Sequence, residues 1–237
     1  MDRIAAAIEG GITGAKAQRI AGDGGGATRA LARLGTAEIK IETSPVTRGV
    51  VHDPEQREVS EAVEEEFGYA MMNIVSFEDL FGGKLHAVLD RQHPRDLYDV
   101  KLLYENEGFT DALFRTFLIY VASSPRPPHE LLNPNLIDLD QPYAREFEGM
   151  TKEAVDLGEL IATRRRLIGD IQSRLDEGAK RFLRTLHDGA PDFDAIDRPQ
   201  AAELPAVRWK LINVNKLKAE NPKKHAAQGE ELEKLLG

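Results

Sequence analysis

The chain has 237 residues, 41% apolar and 30% charged, with a net charge of −9 and a pI near 5.3. That length and apolar content can fill one large core or two small ones, and a mean hydropathy of −0.39 leaves no run of about 18 apolar residues to span a bilayer. With no cysteine, disulfides, thiolate nucleophiles, iron–sulfur clusters and zinc ribbons are excluded. The N-terminus MDRIAAAIEGG has no apolar signal segment, so a cytoplasmic protein is expected. The acidic balance argues against a protein that coats DNA but leaves local basic faces, with Arg164, Arg165, Arg166 and several lysines from Lys210 onward.

In chain order, the segment to Gly26 is rich in Ala and Gly and ends in Gly22-Asp-Gly-Gly-Gly26, which predicts a loop, with a short helix before it. Residues 28–34 and 38–43 alternate in polarity, Ile39 and Ile41 sharing one face and Lys40 and Glu42 the other. They predict a hairpin turning at 35–37 and stopped at Ser44-Pro45. A third strand is expected over 69–75. Two or three strands make a thin sheet for a chain this long.

Ser76 with Asp79 three residues on reads as a helix start, and Phe77, Phe81, Leu85 and Val88 recur at helical spacing to about Asp90. Gly82-Gly83 inside it costs about 1 kcal/mol of helix propensity per glycine, which predicts a close neighbour there. A second helix begins at Pro94 and runs to Gly108, with His93 placed to cap it. Further helices are expected over 111–122, 157–176, 179–187 and 207–218, with joints at 125–142 and 188–205. The expected organisation is α+β: a domain at 1–122 with a small mixed sheet plus helices, and a helical domain at 123–237, divided at Ser123-Ser-Pro-Arg-Pro-Pro128.

The densest set of functional groups is Lys84, His86, Asp90, Arg91, His93, Arg95, Asp96 and Asp99, on two successive helices and their turn. One reading is purely structural, with Arg91 and Arg95 paired to Asp96 and Asp99 across the turn. The other takes a lysine at the core edge and two arginines, on an acidic chain, as a phosphate-binding group. Arg164–Arg166 sit in a helix with a stripe at Leu160, Ile161, Leu167, Ile168 and Ile171, so the arginines are expected on the opposite, solvated side, or on RNA. Val207–Lys218 reads as an amphipathic helix carrying the only tryptophan, Trp209.

Three blocks, Ile39-Lys-Ile-Glu-Thr-Ser-Pro-Val-Thr-Arg-Gly49, Ser76-Phe-Glu-Asp-Leu-Phe-Gly-Gly-Lys-Leu-His-Ala-Val-Leu-Asp-Arg91 and His93-Pro-Arg-Asp-Leu-Tyr-Asp-Val100, resemble consecutive motifs of the AbiEii/AbiGii toxin family. The resemblance implies a polymerase-β-like nucleotidyltransferase core followed by a helical region. It also implies Mg²⁺ and an NTP as cofactors, an RNA acceptor such as tRNA, and a cognate antitoxin as partner. Carried onto this chain, it assigns Lys84 to the triphosphate and Asp96 to orienting that lysine or the nucleophile. Glu42 becomes an acid that assists the metal or acts as base, or else a solvated strand residue next to Lys40, and Arg48, Arg91 and Arg95 bind phosphate or brace the turn. Asp99 is assigned a structural role. The family's Gly-Ser and Asp-x-Asp motifs are absent before Ile39, while Asp138-Leu-Asp140 and Asp192-Phe-Asp194 lie far downstream in polar joints. The expectation is a truncated core, inactive or crippled as given, or alternatively a non-catalytic module that binds an antitoxin, a nucleotide or RNA.

Overall fold

A computed structural model of the chain describes residues 1–20, 29–42 and 49–237. The predicted loop at Gly22–Gly26, the strand stop at Ser44-Pro45 and the candidate residue Arg48 lie outside the described residues. Two compact units divide after Thr47.

The first unit holds α1 (Asp2–Gly11) and an antiparallel sheet of β1 (Lys16–Ile20), β2 (Arg29–Leu34) and β3 (Ala37–Glu42), in that order. The predicted hairpin is β2–β3, registered from Arg29 opposite Glu42 to Leu34 opposite Ala37. Its two-residue turn needs Gly35, whose φ of +58° suits a residue without a Cβ. β1, which the sequence left inside a loop, pairs with the other edge of β2, Lys16 opposite Arg33. Ala30 is fully buried and Ile39 is exposed.

The second unit opens with β4 (Glu55–Glu58), α2 (Glu61–Phe67) and β5 (Met71–Ile74). The predicted third strand therefore exists as β5, but it pairs antiparallel with β4, Glu55 opposite Ile74, in a separate two-stranded sheet. Helices follow: α3 (Phe77–Arg91), α4 (Pro94–Glu105), α5 (Asp111–Ala122), the short α6 (Pro128–Leu132) and α7 (Asp140–Glu146), α8 (Leu157–Ser173), α9 (Glu177–Asp188), α10 (Pro205–Glu220) and α11 (Pro222–Leu236). α5 is apolar on nearly every side, from Leu113 through Phe114, Phe117 and Leu118 to Val121, and is the buried centre on which α3, α6, α9 and α10 pack. One apolar core runs from Val51 to Leu236, passing without a break across the Pro-rich joint at 123–128. The C-terminal α11, unanticipated from sequence, docks on α6 and α9 through buried Leu232 and Leu236 and through His225, whose ring stacks on His187 at 4.0 Å. No helix among the described residues is long and apolar enough to cross a membrane.

The glycine pair in α3 has the close neighbour its cost implied. A Cβ at Gly82 would lie 2.9 Å from the ring of Tyr120 on α5, and one at Gly83 would lie 3.4 Å from it. Gly82→Ala is expected to destabilise by about 1–3 kcal/mol although alanine is the better helix former, because displacing a packed ring outweighs roughly 1 kcal/mol of propensity. Chemical denaturation measures the sign; stabilisation would mean that the ring moves freely.

Candidate functional site

The site is built by the turn between α3 and α4. Ser76 starts α3 as expected, its Oγ accepting from the backbone N–H of Asp79 at 3.0 Å. α3 ends at Gln92, a non-glycine residue in left-handed geometry, with φ 51°. The next residue, His93, caps α4: its Nδ1 accepts from the N–H of Arg95 at 3.2 Å, and Pro94 fills the first helical position. The chain thus reverses within two residues and lays α4 beside α3.

Two ion pairs span the helices like rungs. Lys84 Nζ donates to Asp99 Oδ2 at 2.5 Å, and Arg91 donates to Asp96 Oδ1 at 2.8 Å. The lysine is therefore oriented by Asp99, which the sequence had left to a structural role, while Asp96 takes Arg91. The spacing i,i+4 suggested a pair between Arg95 and Asp99; instead Arg95 approaches Glu146 of α7 at 3.8 Å, and His93 Nε2 meets the same carboxylate at 3.0 Å. Lys84 and Asp99 are each about one-third exposed, so they border the core and reach solvent.

Arg91, His93, Arg95 and Asp96 line a hollow of about 370 Å³. Asp96 Oδ2 is buried and has no hydrogen-bond partner among the described residues, although its other oxygen holds Arg91. The carboxylate holds the Arg91 guanidinium beside Arg95, and the two cations can take an anion between them.

Glu42 stands at the end of β3 in the other unit. It accepts from Arg29 at 2.8 Å and Lys40 at 3.0 Å, and the hydrogen bond and charge of Lys40 hold its carboxyl below the usual range. The sequence left two readings of Glu42 open, and its pairing is that of the strand residue beside Lys40. Among the described residues no three His, Asp or Glu side chains converge as a metal site.

Behind the turn lie residues that the sequence reading did not connect. Asp79 is 2% exposed and accepts four hydrogen bonds: from the N–H groups of Val51 and His52 at 2.8 and 2.9 Å, and from Ser76 Oγ and Tyr120 OH at 3.0 Å each. It ties the start of the second unit to α3 and α5. Arg164, expected on a solvated face, is buried. Its Nη1 donates to Gln92 Oε1 at 3.0 Å and to the carbonyl of Ile137 at 2.8 Å, while Gln92 Nε2 donates to the carbonyl of Asn135 at 2.7 Å. Burial, with Arg165 adjacent, holds its guanidinium below the usual pKa. Arg166 does face outward, stacked over Tyr104 at 3.8 Å. Lys210, in the helix expected to be amphipathic, is also buried. Its Nζ donates to the carbonyl of Arg126 at 2.6 Å, and burial brings its pKa down to about 8, while Trp209 beside it is half-exposed.

The profile of one protein family, described as nucleotidyl transferase AbiEii toxin, type IV TA system, matches residues 1–212. Comparison with curated proteins and with solved structures returned no match.

Proposed function

We propose, because the chain belongs to the AbiEii family of nucleotidyl transferase toxins of type IV toxin–antitoxin systems, that the hollow at the α3–α4 turn holds the phosphates of a nucleoside triphosphate. The acceptor in this reading is an RNA end, tRNA in the first instance, met in the cytoplasm. The observation that carries it is one hollow lined by both Arg91 and Arg95, with Asp96 holding Arg91 in place. Phosphoryl and nucleotidyl transfer depend mainly on positioning and on neutralising charge, so cations two helical turns apart on one face suit a triphosphate better than a single phosphate. Lys84 supplies the charge at the far end, held in place by Asp99; Arg95, with only a long contact to Glu146, supplies the most available guanidinium. Asp96 keeps Arg91 directed at the pocket.

The 237 residues contain no Gly-Ser and no Asp-x-Asp before Ile39. Without paired carboxylates the charge of the transition state falls to Lys84 and the arginines, which leaves this chain a nucleotide binder whose transfer is slowed by about 10³-fold or more.

A second reading, a module that binds nucleotide, RNA or antitoxin without turnover, draws on the fact that Lys84 and Arg91 are already paired. One set of measurements separates the readings: labelled NTP binding, and transfer to tRNA with and without Mg²⁺, for the chain and for Arg95→Ala, Lys84→Ala and Asp96→Ala. Nucleotide affinity is expected to fall about 10-fold in Arg95→Ala, with little transfer by any chain. Mg²⁺-dependent transfer that Asp96→Ala abolishes would overturn the slowed-enzyme reading. Unchanged affinity in all three variants, with lowered melting of Lys84→Ala and Asp96→Ala, would reduce both rungs to helix fasteners.

A further inference from the structure

The second unit shows two exposed surfaces of opposite charge, each with apolar side chains at its centre. The first surrounds β4, α2 and β5. Its strands are four residues long with all eight residues exposed, and a two-stranded sheet of that size is marginal when nothing covers it. Phe67 is 76% exposed and Met72 57%. Residues 53–66 carry seven acids and one base, Arg57, so a phosphate backbone is repelled from this surface.

The second surface is the outer side of α10 and the start of α11. Trp209, Ile212 and Lys216 follow one another at helical spacing on an exposed face, Ile212 at 67% exposure, and Lys218, Lys223 and Lys224 extend it. Residues 208–224 contain one acid, Glu220, against five exposed bases. A solitary exposed tryptophan ringed by cations is the composition of an interface anchor rather than of an ordinary solvated helix.

We infer that the acidic surface of α2 and β5 on one copy of the chain covers the basic surface of α10 and α11 on a second copy. The chain carries both halves of the match, an apolar centre with acids and an apolar centre with bases, so no foreign partner is needed to supply either. The contact joins unlike surfaces, so each copy keeps one of each kind available unless the pair closes on itself. Charge provides steering and register, and Phe67, Met72, Trp209 and Ile212 provide the buried area.

Sedimentation velocity tests this on the full chain. At low ionic strength the average mass is expected to rise above 26.3 kDa as concentration goes from about 1 to about 100 μM, and to return to it in roughly 1 M salt, where the screening length falls to about 3 Å. Because Trp209 is the only tryptophan, its emission should move to shorter wavelength over the same concentration range. Glu64→Lys with Glu65→Lys, or Lys216→Glu with Lys223→Glu, should each weaken association at least about 10-fold. A one-to-one mixture of these two variants should form dimers through the surfaces each has kept. A monomer at every concentration would overturn the inference and leave the surfaces to a different molecule. So would association that ignores both pairs of substitutions.

Discussion

Replacing Asp79 by alanine is expected to remove about 3 kcal/mol of unfolding free energy and to lower the melting temperature by roughly 6–12 °C. The carboxylate is 2% exposed and accepts from two backbone N–H groups and two hydroxyls. Alanine leaves the N–H groups of Val51 and His52 buried against apolar surroundings, and an unpaired buried donor costs more than its hydrogen bond was worth. The loss is not confined to one element, because those two residues anchor the segment leading to β4 while Tyr120 ties α5 to α3. Asp79→Asn separates charge from shape. It turns an NH₂ toward either Val51 or His52, so it should lose about half as much, whereas Tyr120→Phe removes one donor and should cost about 1 kcal/mol. Thermal and urea unfolding of the three variants provide the check. A loss below about 1 kcal/mol for Asp79→Ala would mean that water replaces the carboxylate at no penalty.

Arg164→Ala should cost about 2–3 kcal/mol, far more than a change at an arginine on a helix surface. Truncation removes both donors that hold Gln92 Oε1 and the Ile137 carbonyl, and it opens a void between α8 and the 135–139 segment. Gln92 is also the left-handed end of α3, one residue from His93 and Arg91, so loosening it disturbs the candidate pocket. The control is Arg165→Ala on the exposed side of the same helix, expected within ±0.5 kcal/mol of the parent. Equal losses at 164 and 165 would contradict the buried bridge; the measurement is equilibrium denaturation of each single variant.

Much of the helical chain is legible because its ends carry chemistry. Thr110 Oγ1 accepts from the N–H of Leu113 and starts α5 where the sequence puts it, and Ser76 and His93 do the same for α3 and α4. The failures have physical causes. β4 is Glu-Gln-Arg-Glu, with no apolar residue and no alternation, and it is a strand only because β5 offers it a ladder. α11 is mostly polar and buries only Leu232 and Leu236 from its last turns, too sparse a stripe to announce a helix. Arg164 was readable in principle, since 160, 164, 167 and 171 follow the 4-3-4 spacing of one buried stripe, but its charge argued for solvent and the partners that satisfy it come from 27 and 72 residues away. At the candidate site the residue types and the tight turn were legible. Which carboxylate meets which cation was not, because that depends on how α4 lies against α3 rather than on spacing within either helix.

The division after Thr47 bears on how such a gene can change. Every member of the principal core lies at Val51 or beyond, and the first unit keeps its own buried alanines, Ala5 and Ala30. A recombination breakpoint placed between Thr47 and Gly49 would delete no residue of that core. The N-terminal unit is therefore the portion that insertion, replacement or fusion can exchange while the helical body, with its Asp79 fastening and its α3–α4 pocket, passes to descendants as one heritable block.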